Sequence, residues 1–124
     1  MPQYQFYDMP GVDHLSRKEP SAVAQTQVVS VAAQCGKKQI LTESFAMTGW
    51  NFNFSGMKWL YQIQLVHGVN RLCPHLQGYT LRGLRKRDYP ASFFYHQPGW
   101  EDYRKLNDYF SFCGMIAPLQ GSCI

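Results

Sequence analysis

Hydrophobic and polar positions in this chain change between short apolar runs and longer stretches with helical spacing. Apolar residues recur at helical intervals in segment 23–35, which follows Pro20 and Ser21 and precedes Gly36. Serine is a preferred N-cap, and glycine readily takes the left-handed conformation that ends a helix. The pattern therefore predicts a helix that begins after Ser21 and ends at Gly36.

Two further helices and three short strands are indicated by the same pattern. Ser55 is a candidate cap for a second helix that closes at His67 and Gly68, and a third helix begins near Pro98. Short apolar segments precede or separate the helices, and we interpret them as strands: residues 12–15, 39–42 and 69–73. Strands that alternate with helices favour βαβ units, so the sequence predicts an α/β fold with a parallel sheet.

Composition narrows the class of protein. The chain has 124 residues, of which 45% are hydrophobic, 15% aromatic and 16% charged, a profile typical of one small folded domain. It shows neither a signal segment at the N-terminus nor an apolar stretch long enough to span a bilayer. We therefore predict no membrane partner, and the localisation stays open.

Much of the net charge of +4 comes from one basic cluster. Its members are Arg82, Arg85, Lys86 and Arg87. Such a cluster can bind the phosphates of a nucleic acid. This one is short and is closed by Asp88, so we favour a solvated or internally paired loop and predict no nucleic-acid partner.

The cysteines and histidines do not indicate a metal site. The four cysteines form no Cys-x-x-Cys pair, so a zinc ribbon, a thioredoxin-like motif and a disulfide framework are not predicted. Cys35 and Cys73 lie in apolar patterns and are expected to be small buried residues. The histidines and Asp13 lack tight ligand spacing, and the chain is predicted to need neither metal nor cofactor.

One carboxylate follows the second predicted strand. Glu43 lies at the carboxyl end of segment 39–45, and ligand sites of parallel α/β sheets lie beyond the carboxyl ends of the strands. In a barrel of such units, an acidic residue in this position is typically catalytic. The alternative interpretation is a solvated loop glutamate.

Three blocks of sequence carry a resemblance to a known family. They are segment 28–45 with Gly49 and Trp50, segment 67–79, and segment 81–90. Together they resemble the later part of the (β/α)₈ catalytic barrel of bacterial glycoside hydrolases of the α-L-rhamnosidase-like type. The similarity covers about residues 4–110, and it implies a partial TIM barrel of about three βα units, equivalent to about strands six to eight.

The resemblance also implies an activity. Related barrels carry one of two catalytic carboxylates at the end of the seventh strand, and Glu43 matches that place as base or nucleophile. The partner carboxylate would lie upstream of Met1, so residues 1–112 are expected to form a partial catalytic domain that is inactive alone. The expected reaction is hydrolysis of glycosidic bonds in plant-type or host polysaccharides.

Five other residues are predicted to contact the carbohydrate substrate. Asp13 and His14 follow the first strand, His75 and Tyr79 follow the third, and Trp50 can form a platform under a sugar ring. Each has a structural alternative, such as a turn cap, a hydrogen-bonding histidine or a core tryptophan. A non-catalytic carbohydrate-binding or scaffold module therefore stays open, and a small nucleic-acid binder is the third hypothesis.

The end of the chain departs from the family pattern. The helical pattern breaks at Cys113 and Gly114, and residues 113–124 form an atypical tail without charges. A change of reading frame after Phe110 is one hypothesis for it. A partial barrel exposes strand edges that further strands should cover, so self-association through those edges is expected.

Overall fold

The computed structural model describes residues 2–87, 89 and 93–117, and it contains three parallel strands that alternate with helices. The main elements are β1 (Gly11–His14), α1 (Ala22–Gln34), β2 (Leu41–Ser44), α2 (Phe54–Val66), β3 (Arg71–Pro74) and α3 (Trp100–Ile116). Short 3₁₀ helices occupy Pro2–Phe6 and Gly83–Arg87. The strand order is β1-β2-β3 with both pairs parallel, which confirms the α/β fold and the parallel sheet.

The predicted capping residues are confirmed for α1 but not for α2. The Ser21 side chain accepts a hydrogen bond from the Ala24 amide, and Gly36 follows α1 with a φ of +67°, as predicted. The cap of α2, however, is Asn53 rather than Ser55. The Asn53 side chain accepts a hydrogen bond from the Gly56 amide at 2.9 Å, and its extended backbone places that oxygen over the first turn.

The two faces of the sheet differ in what they contact. Val12 packs against the apolar cluster that contains Val28, and Leu72 packs against the cluster that contains Met57 and Phe110. The helices therefore cover the face formed by Val12, Thr42 and Leu72, which the register aligns. Side chains alternate along a strand, so the aligned row of Asp13, Glu43 and Cys73 lies on the opposite face.

A buried polar network joins the central strand to α2. The Gln64 amide nitrogen donates a hydrogen bond to the Ser44 hydroxyl at 2.9 Å, and the Thr42 and Ser44 hydroxyls lie 2.9 Å apart. All three side chains are buried. Buried polar groups are costly unless they are paired, so this network fixes the position of β2 against the helix.

Helix α3 continues past the predicted break in the pattern and ends at Ile116. The prediction that the helix breaks at Cys113 and Gly114 is wrong, because Gly114 is a packing contact. A Cβ atom there would lie 2.6 Å from the Asn70 carbonyl oxygen. Residues 118–124 of the predicted tail, including Cys123, lie outside the described residues.

The free cysteines are also less buried than expected. Cys35, Cys73 and Cys113 are all partly exposed. Cys35 is the C-cap residue of α1 and Cys73 lies on the uncovered face of the sheet, so neither occupies the interior.

The substitution Gly114→Ala is expected to lower the free energy of unfolding by about 1–3 kcal/mol, because an added methyl group must displace backbone. Alanine is otherwise about 1 kcal/mol better than glycine in a helix. Urea denaturation followed by circular dichroism measures the change, with the exposed Ser111→Ala as a control. A gain in stability for Gly114→Ala would mean that this end of α3 does not pack on the domain.

Candidate functional site

Glu43 and His75 form the centre of the candidate site. Glu43 lies near the carboxyl end of β2, and His75 directly follows β3. The His75 amide donates a hydrogen bond to the Ser44 carbonyl at 2.8 Å, which holds the histidine beside the central strand. The Nε2 atom of His75 lies 3.4 Å from Oε1 of Glu43, and both side chains are partly exposed, at 23% and 35%.

Tyr89 also contacts this histidine. Its ring meets the imidazole edge-to-face with ring centroids 6.4 Å apart. The Nδ1 atom of His75 is buried and has no hydrogen-bond partner among the described residues. The imidazole therefore contacts both a carboxylate and an aromatic ring, and it can orient the carboxylate of Glu43.

Asp13 and His14 take different positions relative to Glu43. Asp13 pairs with Glu43 in the strand register and is exposed, so its carboxylate lies on the same face of the sheet one strand away. His14 pairs with Ser44, and alternation places its side chain on the opposite face. The structure thus brings Asp13 and His75 together with Glu43 but directs His14 away from it.

Burial lowers the pKa of His14, and backbone hydrogen bonds at Lys18 and Ser16 oppose that change. Its Nε2 atom is buried and has no hydrogen-bond partner within the described part of the chain. Burial of the imidazole, with its Nε2 atom unpaired, disfavours the charged form, so the neutral form suits the fold.

The pH dependence of stability follows from this lowered pKa. In the unfolded chain the His14 imidazole takes up its proton near its ordinary pKa of about 6.5, and in the folded chain it does so at a lower pH. The unfolded state then binds more protons in that window, so stability is full above it and falls as pH drops through the folded pKa.

The substitution His14→Gln should therefore flatten the pH dependence of the free energy of unfolding between about pH 7.5 and about pH 5.5. Urea titrations at both pH values measure it. His96 is exposed, so His96→Gln serves as the matched control. An unchanged slope in His14→Gln would show that this imidazole does not carry the effect.

Trp50 and Tyr79 lie in the loops that follow β2 and β3. Tyr79 is 91% exposed, whereas Trp50 is 42% exposed and lines a cavity of about 290 Å³. The apolar lining of this cavity consists of Trp50, Phe52, Phe54, Met57, Trp100 and Tyr103. Its polar lining consists of Asn51, Asn53, Gln97 and Gly99. We call it the Trp50–Trp100 cavity.

Arg17 holds the loop that carries Trp50. Its Nε atom donates a hydrogen bond to the Thr48 carbonyl, its Nη2 atom donates to Oδ1 of Asn51, and its guanidinium lies 5.7 Å from the centre of the Phe52 ring. The planar fork of arginine suits such a set of contacts. Arg17 is thus a positioning residue. No signal in the sequence indicates this role, because Arg17 is 31 residues from Thr48 and 34 residues from Asn51 along the chain.

The same loop has an unusual backbone. Phe45, Met47 and Gly49 have φ values of 80°, 57° and 76°. This region is uncommon for residues other than glycine, and strained backbone of this kind clusters at functional sites. The loop between β2 and α2 is therefore held in a defined, costly conformation directly after Glu43.

The basic residues lie next to this loop. Lys86 and Arg87 are exposed, and with Met47, Trp50 and Tyr89 they line a second cavity of about 350 Å³. Trp50 is common to both cavities, and Tyr89 connects the second one to His75. The cluster that was expected to be solvated is exposed, and two of its side chains also border the candidate site.

No protein-family model, curated protein or solved structure matches this chain. Within the described residues, no three histidine, cysteine or acidic side chains come together as a group able to hold a metal ion. None of the described helices combines the length and the apolar character needed to cross a membrane.

Proposed function

We propose that this chain is part of the (β/α)₈ catalytic barrel of a glycoside hydrolase and that Glu43 is one of its two catalytic carboxylates. The observation that supports this most is the position of Glu43. It lies near the carboxyl end of the central strand of a parallel sheet, partly exposed and 3.4 Å from His75. Catalytic groups of α/β barrels occupy this end of the strands.

The surroundings of Glu43 suit a base or a nucleophile. Asp13 on the neighbouring strand and His75 can both bond to sugar hydroxyls, and His75 can also hold the Glu43 carboxylate in one orientation. Glycoside hydrolysis further requires an acid that protonates the leaving oxygen. In this proposal the acid is a second carboxyl group from another strand of the barrel, so the chain alone does not cleave ordinary glycosides.

A change of leaving group tests the proposal on the chain as it is. A 2,4-dinitrophenyl α-L-rhamnoside releases a stable phenolate that needs no protonation, so the missing acid matters little. We expect slow release of dinitrophenol above the buffer rate from this substrate, and no release of methanol or rhamnose from methyl α-L-rhamnopyranoside. Equal rates with and without protein would reject Glu43 as a catalytic carboxylate in this chain.

A non-catalytic carbohydrate-binding module is the second candidate, and the Trp50–Trp100 cavity favours it. The cavity combines aromatic faces with amide groups. Binding of a sugar there, unlike hydrolysis, does not require a second carboxylate. The same assay separates the two candidates. Calorimetric binding of rhamnose-containing or galactose-containing oligosaccharides without release of dinitrophenol would support the module.

Self-association is a further expectation of a partial barrel. In the described sheet β1 and β3 each have one strand neighbour, and unpaired strand edges tend to pair with other chains. We expect the apparent mass to rise with protein concentration in size-exclusion chromatography with light scattering. A monomer at every concentration would contradict this expectation.

A further inference from the structure

The Trp50–Trp100 cavity has the chemical character of a sugar-binding site. The rings of Trp100 and Tyr103 are stacked, with centroids 5.6 Å apart and planes 19° apart, and Trp50 lines the same cavity from the loop after β2. Flat aromatic faces of this kind offer large apolar contact areas. They match the C–H face of a pyranose ring.

Three side-chain amides complete the cavity. The side-chain oxygens of Asn51 and Asn53 already accept hydrogen bonds within the protein, from Arg17 and from the Gly56 amide. Their amide nitrogens carry the donors of these side chains for which no bond within the protein is described, and Gln97 offers both a donor and an acceptor. Amides paired with aromatic faces suit hydroxyl groups, which both donate and accept hydrogen bonds.

The charge and the volume of the cavity further restrict the class of ligand. None of the residues that line the Trp50–Trp100 cavity carries a formal charge, so nothing in it compensates a carboxylate, sulfate or phosphate. Its volume of about 290 Å³ is just below the range of roughly 300–1,000 Å³ for small-molecule pockets. A single neutral ring fits this description better than an oligosaccharide or an anionic group.

The cavity is connected to the candidate catalytic group. Glu43 contacts His75, His75 contacts Tyr89, and Tyr89 shares a cavity with Trp50. Trp50 in turn lines the Trp50–Trp100 cavity. A chain of neighbouring side chains therefore links the carboxylate to the aromatic cavity.

We propose that the Trp50–Trp100 cavity binds a neutral pyranose unit of the glycan next to the sugar that is cleaved at Glu43. The role of that neighbouring sugar rests on the proposed function, whereas the binding itself can be measured without hydrolysis. Arg17 is the positioning residue for this site, because it fixes Thr48 and Asn51 on either side of Trp50.

Ligand-observed NMR titration of the full chain tests the proposal. The probes are methyl α-L-rhamnopyranoside, methyl β-D-galactopyranoside and sodium galacturonate. We expect at least one neutral glycoside to bind more tightly than the uronate, and Trp100→Ala to weaken that binding by about tenfold or more. Trp59 is exposed on α2, outside the cavity lining, so Trp59→Ala is the matched control and should bind as the unaltered chain does.

A second variant covers the case in which Trp100→Ala does not fold. Gln97→Ala removes one amide and leaves the rings in place, and it should weaken the binding of the neutral glycoside as well. Unchanged binding in a folded Trp100→Ala or in Gln97→Ala, or tighter binding of galacturonate than of both neutral glycosides, would overturn the proposal.

The test also separates this site from the catalytic assignment. If binding depends on Trp100 but no dinitrophenol is released, the proposed function is contradicted and the sugar site is supported. If dinitrophenol is released but binding of the neutral glycoside does not depend on Trp100, the proposed function is supported and the sugar site is contradicted.

Discussion

Replacing Glu43 with glutamine is expected to lower the rate of dinitrophenol release from the activated rhamnoside by about 100-fold or more, because general acid–base groups contribute about 10²–10⁴-fold. Glutamine keeps the size of the side chain and can still bond to His75, but it is neither a base nor an effective nucleophile. The rate of release in stopped or continuous absorbance assays measures the change. Circular dichroism checks that the variant is folded.

The control for this prediction is an exposed glutamate in a helix. Glu101 lies in the first turn of α3 and is exposed, so Glu101→Gln removes the same charge without touching the site. Its rate should equal that of the unaltered chain. Retention of full activity in Glu43→Gln, or an equal loss in Glu101→Gln, would contradict a direct role for Glu43.

Replacing Phe45 with alanine is expected to lower the free energy of unfolding by about 3–5 kcal/mol, the usual cost of removing a buried aromatic ring. The Phe45 side chain is fully buried, and its ring lies within about 6 Å of the rings of Phe52, Phe93 and Phe110. It joins the loop after β2 to the core formed by α2 and α3. Urea denaturation measures the loss.

The backbone at Phe45 gives this prediction a second, independent test. Its φ of 80° is unfavourable for a side chain with a Cβ atom, and such strain costs about 1–3 kcal/mol. Phe45→Gly should therefore be less destabilising than Phe45→Ala, which reverses the usual order of glycine and alanine. The exposed Phe112→Ala is the control and should change stability by no more than about 0.5 kcal/mol. A greater loss for Phe45→Gly than for Phe45→Ala would reject the assigned strain.

Local patterns predicted the elements well because they depend on near neighbours. The spacing of apolar residues gave the helices and strands, and Ser21 and Gly36 marked the ends of α1. The cap of α2 was ambiguous, since Asn53 and Ser55 are both good capping residues and only the backbone decides between them. The pattern predicts a break at Gly114, because the close contact of this residue with Asn70 depends on the fold.

The sequence predicted the site residues whose positions depend on strand topology. It missed the residues whose positions depend on how the loops pack. Glu43 lies near the carboxyl end of β2, and His75 directly follows the neighbouring parallel strand β3. Such positions meet at one edge of a sheet. The contacts of Tyr89 and Arg17 depend on long loops whose course has no periodic signal. The sequence predicts Trp100 as part of a helix, which is where it lies. Its position in the cavity was not predicted, because it depends on how α3 packs against the loop after β2.

The position of β2 has a consequence for how steadily Glu43 is held. In the described sheet β2 pairs with a strand on each side, and its Ser44 is tied to α2 by the Gln64 amide. Fraying of β1 or β3 would still leave this strand with one ladder of backbone bonds and its side-chain tether. The carboxylate therefore lies on a strand that keeps backbone pairing when either edge strand frays, so transient opening at the margins of the domain should leave its geometry undisturbed.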